Sequence, residues 1–329
     1  MIPIVMITDK NYFINTITCI QSIAEYSTRR KVEIYLITVD ISQEMEDLLR
    51  NIKYDNVVLK FISADAKVFG VSQKVGQYVT TSALLKFKIP YLISEYDKVL
   101  YIDGDIIVRK DITELLAIDI SDNYVGAIQD MDCVLNRQDN IRLNKEKYFN
   151  SGVMILNCKR LRDEHLPEKM IEMKRQRSDL HYMDQDVFNV CFDGQVCYIP
   201  LKYNYTVGYD FYSIETINTF FETNYRNEKE LSEDIAILHL SGKCKPWSSI
   251  DDTHREEWMR YYNVSPVSNL ELKVVRKEEK KGLLTKTYIS NKITDLSIGK
   301  INVLRKERYR GYSKFYLFGT SVAVKIKGK

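Results

Sequence analysis

The chain has 329 residues, 45 % hydrophobic and 28 % charged, with a formal net charge of +3. That length suits one large domain with an appendage, or two modest domains. No apolar run reaches the roughly 20 residues that span a bilayer, and the six cysteines form no C-x-x-C pair or disulfide rhythm, which excludes a membrane-spanning or disulfide-stapled design and fits a reducing cytosol.

Ile2 to Ile7 is a short apolar strand that ends at Thr8, Asp9, Lys10, Asn11 and Tyr12. It has no charged leader or small-residue cleavage site, so it reads as a buried strand rather than a signal peptide. Ile17, Ile20 and Ile23 then recur at helical spacing. Val32 to Val39 is a second strand, rich in β-branched residues. Glu44 to Ile52 reads as a helix with Ser42 at its N-cap and Glu44, Glu46 and Asp47 set against the positive end of the dipole. Asn56 to Ile62 is a third strand. This alternation predicts a parallel α/β sheet covered on both faces, with ligands at the carboxyl ends of the strands and Asp9 and Asn11 in a nucleotide pocket.

Thr80 to Lys88 reads as a helix interrupted by Pro90. Lys98 to Ile102 is an apolar strand that runs into Asp103, and Val125 to Ile128 and Gly152 to Leu156 are further strands. Leu166, Met170 and Met173 mark one face of a helix, and Asp184 to Cys191 begins another. From about Val264 the chain becomes charged and weakly periodic, like an appended subdomain.

Three motifs carry chemistry. Asp103-Gly104-Asp105 places two carboxylates at the end of a buried strand, where they can present hard oxygen ligands to one spot. Mg²⁺ and Mn²⁺ favour such ligands, and Mn²⁺ accepts an imidazole more readily. Gly104 leaves room for a close backbone approach and an unusual turn. The same residues could simply end a strand in a turn, or supply an aspartyl nucleophile to a phosphatase, although that motif normally lies on the first strand. Asp184-Gln185-Asp186 opens a helix, and either caps it or contacts a sugar. His239 ends the apolar run Ile235 to Leu238. It is followed by Gly242, Lys245, Pro246 and Trp247, so a lysine six residues on can reach a phosphate that a metal also holds. Metal and lysine together would neutralise a leaving diphosphate.

With these residues in view, the chain closely resembles glycosyltransferase family 8 over roughly residues 1 to 260. The matching stretches are Thr8 to Tyr12, Lys98 to Val108, Tyr148 to Val153, Tyr182 to Asp186, Tyr203-Asn204, and His239 to Trp247. The resemblance implies an α/β, Rossmann-like GT-A domain with a mixed central sheet, a UDP-hexose donor, bound Mn²⁺ with Mg²⁺ as the alternative, and retention of anomeric configuration. It implies Asp103, Asp105 and His239 as metal ligands. Thr8, Asp9, Asn11 and Tyr12 would lie at the uridine end, Gly104 beside the metal, and Gly242 and Lys245 on the diphosphate. Asp130, Asn150, Asp184 and Gln185 would surround the hexose, with Gln185 opposite the leaving group. One departure is Lys86, where relatives commonly carry an arginine that helps at the donor. Lysine keeps the charge but loses the planar fork.

Residues 271–329 hold 16 basic against 5 acidic residues, a net of +11. The preceding 270 residues hold 32 against 40, a net of −8. The expected division is a catalytic domain over 1–263 and a basic, aromatic subdomain over 264–329. The tail mixes Lys and Arg with Tyr, Phe and Leu, notably over Arg308 to Phe318, and suits an anionic membrane surface. It would hold the protein at the inner face of the cytoplasmic membrane, near a glycan or glycolipid acceptor. Nucleic acid is not expected: the tail matches no recognition motif and the acidic body would repel a polyanion. Two short strands around Gly319 would form a hairpin. The reading is a metal-dependent retaining hexosyltransferase. Its rivals are a phosphatase using Asp103 and Asp105, and a catalytically lapsed scaffold.

Overall fold

The computed structural model describes residues 2–27, 31–64, 81–136, 147–177, 179–242, 245–249 and 252–272, and the strands within 277–281, 284–288, 293–298, 301–309, 312–317 and 320–325. The chain falls into two compact units, Met1–His239 with Ser265–Val267, and Leu240–Val264 with Ser268–Lys329.

The first unit opens with β1 (Ile2–Asp9), α1 (Phe13–Tyr26), β2 (Val32–Val39), α2 (Gln43–Asn51) and β3 (Val57–Ser63). The three strands pair in parallel, as their alternation with helices predicts. Ser42 caps α2 by accepting the Met45 N–H at 3.3 Å. A 3₁₀ segment, Thr81–Lys88, then runs directly into α3 (Ile89–Leu92). Here the expected interruption fails. Pro90 sits in the first turn of α3, where its missing N–H has no partner to lose, so it continues the helical path.

Next come β4 (Val99–Ile102), β5 (Ile106–Val108), β6 (Val125–Gln129), α4 (Met131–Asn136), β7 (Phe149–Leu156), α5 (Cys158–Asp163), α6 (Leu166–Gln176), α7 (Met183–Cys191), β8 (Val196–Tyr198), β9 (Tyr205–Thr206), α8 (Ile214–Phe221), α9 (Glu228–Asp234) and β10 (Ile237–His239). The central sheet has the order β3-β2-β1-β4-β7-β6-β8. It is mixed, because β7 runs antiparallel to both β4 and β6. Every residue of β2, β4 and β7 is buried, so both faces of the sheet are covered. A second sheet, β5-β10-β9, places His239 opposite Ile106 and beside Thr206.

Two features seat α7 against β7. Phe188 and Phe192 pack with Phe87 and Phe149, with ring centroids 5.0 to 6.5 Å apart. Asn189, on α7, imitates a neighbouring strand: its side-chain oxygen accepts the Phe149 N–H at 2.8 Å and its amide donates to the Phe149 carbonyl at 2.9 Å. On α6, Leu166 and Met170 are buried and Met173 partly so, the face expected from their spacing.

The second unit contains α10 (Arg255–Val264), where Trp258 is buried against Trp247 at 5.5 Å and stacks on Tyr262 at 5.3 Å. It also contains a six-stranded sheet, β11 (Lys277–Lys281), β12 (Leu284–Tyr288), β13 (Ile293–Ile298), β14 (Ile301–Tyr309), β15 (Tyr312–Leu317) and β16 (Thr320–Lys325), in which each strand pairs antiparallel with the next. The expected hairpin is there, with Leu317 opposite Thr320, although Gly319 itself lies outside the described residues. Among the described residues no helix is long and apolar enough to cross a membrane.

Candidate functional site

The carboxyl end of β4 starts the site. The Asp103 N–H donates to the Gly152 carbonyl of β7 at 2.8 Å, which fixes the strand as it leaves the sheet. Gly104 is needed for space: a Cβ there would run into the Thr16 Oγ1 of α1. That is the close approach read from the sequence. The chain bends at Gly104 and Asp105, without a positive φ at the glycine. Asp105 then leads into β5, and the pairing of β5 with β10 brings in His239. One ligand atom from each of Asp103, Asp105 and His239 lies within 4.8 Å of the others. His239 Nε2 is 3.3 Å from Asp105 Oδ1 and 4.0 Å from Asp103 Oδ2. A second glycine makes room for the ring, since a Cβ on Gly152 would overlap the His239 imidazole.

Lys86 forms the charged flank. Its ammonium lies 3.1 Å from Asp103 Oδ1, 2.7 Å from Asp184 Oδ2 and 3.4 Å from the Ser151 carbonyl, over the ring of Tyr101 at 4.8 Å. An ammonium carries three N–H donors, and these three oxygens match that number. Burial alone would push the Lys86 ammonium down. The carboxylates of Asp103 and Asp184 overcome it and raise it well above the usual lysine range, so it stays charged. Asp103 is raised by desolvation and by the Asp105 charge, with Lys86 opposing. The Tyr101 hydroxyl donates to Asp103 Oδ1 at 2.5 Å.

The other flank is made of amides. Asp130 accepts the Cys133 N–H on Oδ1 at 3.0 Å, and on Oδ2 the amides of Asn150 at 3.1 Å and Gln185 at 3.2 Å. The Gln185 oxygen accepts the Ser151 N–H at 3.0 Å, and the Ser151 hydroxyl donates to Asp184 at 2.9 Å. Asn150 Oδ1 accepts both the Gly152 N–H and the Asn204 amide at 2.9 Å, and Asn204 Oδ1 is 3.0 Å from His239 Nδ1. The structure thus brings Asp130, Asn150, Asp184 and Gln185 into one network with the Asp-Asp-His cluster.

The third member of Asp184-Gln185-Asp186 has a different task. Asp186 is fully buried, accepts the Tyr182 N–H at 2.9 Å at the start of α7 and the Tyr148 hydroxyl at 2.7 Å, and so performs the capping that the tripeptide also suggested. Asp9 Oδ1 accepts the N–H groups of Asn11 at 2.8 Å and Tyr12 at 3.0 Å, which shapes the loop after β1, while Thr8 Oγ1 accepts from Thr16 at 3.1 Å. Burial raises the Tyr12 hydroxyl far above its usual range, and the charges of Asp105, Asp103 and Asp9 add to this, so it remains a neutral phenol.

Gly242 and Lys245 belong to the second unit. Gly242 adopts φ +92°, a conformation that favours glycine. Lys245 donates to the Leu240 carbonyl at 2.6 Å and lies 5.4 Å from the Trp247 ring centroid. Sequence reasoning assigned no role to Ser151, Asn189 or Asn204. Asn204 stood in a quoted motif, but its partners lie 54 and 35 positions away, beyond what local pattern can connect.

The chain matches the family model "Glycosyl transferase family 8" over residues 3–251. It is 28 % identical to an Escherichia coli lipopolysaccharide 1,2-glucosyltransferase, across 83 % of this chain and 81 % of that protein. It is 26 % identical to the glycosyltransferase GlyF of Streptococcus pneumoniae, across 78 % of this chain but only 60 % of the longer relative. The galactosyltransferase LgtC, solved with donor and acceptor sugar analogues, superposes with a TM-score of 0.64 at 26 % identity over 83 % of this chain and 97 % of LgtC. The bifunctional glycosyltransferase WbbM shares the fold, with a TM-score of 0.68 at 22 % identity over 82 % of this chain, which spans half of the WbbM chain.

Proposed function

The chain belongs to glycosyl transferase family 8, and we propose that it is a metal-dependent, retaining transferase that moves a hexose, galactose or glucose, from a UDP-sugar to a cell-surface glycan or glycolipid. The observation that carries this reading is the Asp103, Asp105 and His239 cluster: two carboxylates and an imidazole edge face one point, with the other ring nitrogen engaged elsewhere. Such a donor set fits Mn²⁺ better than Mg²⁺, which prefers oxygen alone. When bound there, the ion would supply Lewis-acid neutralisation of the leaving diphosphate.

The protein's own residues have separable tasks in this account. Thr8, Asp9, Asn11 and Tyr12 take the uridine end. Gly242 and Lys245 are assigned to the diphosphate on the family resemblance, with the six-residue spacing from His239 adding support for Lys245. Lys86 balances the charge of Asp103 and Asp184 beside the donor. Asp130, Asn150, Asp184 and Gln185 receive the hexose. Gln185 is held at both ends of its amide, by Ser151 and Asp130, which suits a fixed dipole rather than a nucleophile. The bond from C1 to the phosphate oxygen breaks first toward an oxocarbenium-like ion pair, and the Gln185 oxygen stabilises the positive charge. The acceptor hydroxyl then attacks C1 on the face the phosphate is leaving, and its proton passes to that phosphate. A glycosyl adduct trapped on a side chain would overturn this route.

The basic segment 271–329 is assigned to an anionic membrane surface on the inner face of the cytoplasmic membrane, as the appendage to a catalytic domain over 1–263. The decisive test of the function is UDP release from a panel of UDP-sugars, with and without Mn²⁺, in wild type and Asp105→Ala. Mn²⁺-dependent release from one hexose donor, lost in the variant, is the expected result. Absence of UDP-sugar binding at every metal concentration would overturn the reading.

A further inference from the structure

The amide flank has a direction, and it ends on the metal side. Asn150 Oδ1 is identified as an oxygen by the Gly152 backbone N–H, which can only donate. Its other end must then be the amide nitrogen, and that end faces Asp130 Oδ2. Because Asn150 Oδ1 is an acceptor, the Asn204 group 2.9 Å from it is an amide donor, so Asn204 presents its oxygen to His239 Nδ1 at 3.0 Å. An oxygen without hydrogen requires a proton on Nδ1. The neutral His239 ring therefore carries its lone pair on Nε2, the nitrogen that faces Asp105 and Asp103. The donors and acceptors run in order from a backbone N–H to the imidazole, where Asn204 at Nδ1 and the Asp105 carboxylate at Nε2 compete for the ring proton.

We infer that Asn204 is a positioning residue that selects the metal-binding tautomer of His239 and, through Asn150, ties that ring to Asp130 on the sugar side. Asn204 is fully buried and its side chain bonds to Asn150 and to the His239 ring, so it acts on the metal side through that ring. Its place follows from the fold: β9 pairs in parallel with β10, and Asn204 directly precedes β9. Partners of this kind on the remote nitrogen of a ligating histidine typically change metal affinity by about 10- to 100-fold. The metal half of this inference rests on the proposed function. The tautomer half does not.

The two halves are tested together in the full chain carrying ¹⁵N-labelled histidine. Long-range ¹H–¹⁵N spectra of the metal-free protein, recorded with the ring neutral, report which nitrogen of His239 bears the proton. Mn²⁺ titration followed by electron paramagnetic resonance reports affinity. In wild type the proton is expected on Nδ1. In Asn204→Leu it moves to Nε2 and Mn²⁺ binding weakens by about 10- to 100-fold. In Asn204→Asp, which still offers an oxygen to the ring, the Nδ1 proton persists and the affinity loss is smaller than in Asn204→Leu. Asn204→Ser, polar but too short to reach the ring, carries the same test if the leucine variant does not fold. A wild-type ring protonated on Nε2, or a leucine or serine variant with unchanged tautomer and affinity, would overturn the inference. A tautomer that switches as expected in a protein that binds no Mn²⁺ would leave the role of Asn204 standing and remove the metal reading.

Discussion

The two flanks of the site are built from different materials. On one side Lys86, Asp103 and Asp184 form a cluster of charges in which Lys86 and Asp184 are buried and Asp103 is partly exposed. On the other, Asp130, Asn150, Asn204 and His239 are joined mostly by neutral amides. Charges hold strongly but at any angle, and a buried charge that loses its partner is severely penalised. Amides hold more weakly but have a head and a tail, so they transmit orientation. The charged flank therefore sets stability, and the amide flank sets which way the reactive atoms point.

The largest effect should come from the residue between the flanks. Asp105→Ala is expected to reduce turnover with a UDP-hexose by about 10³-fold or more while the protein remains folded, as judged by circular dichroism. Lys86→Met breaks the charged flank alone and leaves two carboxylates uncompensated. Urea unfolding should show a loss of about 3–5 kcal/mol. A loss under about 1 kcal/mol would mean that the charged flank does not set stability. Gln185→Ala tests the opposite corner: kcat should fall by about 10²-fold or less, with stability within about 1 kcal/mol of wild type.

The same logic of charge appears far from the site, where it predicts a pH dependence. Burial alone would raise the Glu33 carboxyl. Hydrogen bonds from Lys60 at 2.6 Å, Tyr96 and Tyr35 outweigh it and hold the group below the usual carboxylate range. A carboxyl lowered in the folded state gives stability that is present above its unfolded value and is lost as pH falls through the folded value. Melting temperature followed from about pH 6 to 3 should fall less steeply in Glu33→Gln than in wild type. The smallest expected change is at the surface: Ser42→Ala removes the cap of α2 and should cost about 1 kcal/mol.

How much of this was legible beforehand follows from the range of each interaction. The strands and helices up to β3, the strand β4, the cap at Ser42 and the hairpin near the end are local, and periodicity finds them. The Asp103, Asp105 and His239 grouping was legible only as an order of motifs with a family likeness, because nothing local tells His239 that β10 will lie against β5. Family membership also removes the support for a phosphatase. Pro90 was misread because a proline that starts a helical turn and one that ends it look alike in a sequence. The four strands before the final hairpin were hidden by their charges, which blur the alternation of a sheet.

The place of β10 in its sheet has a consequence in time. It lies between β5 and β9, yet it is made after both. A chain still on the ribosome and short of Ile237 has two strands with a gap between them, and two carboxylates with no imidazole. Domains gather as they emerge, at about 5–20 residues per second, so the β5–β10–β9 sheet and the complete ligand set can form only once His239 has emerged. Synthesis itself thus delays any metal capture by the three groups together until nearly all of the first unit has been made.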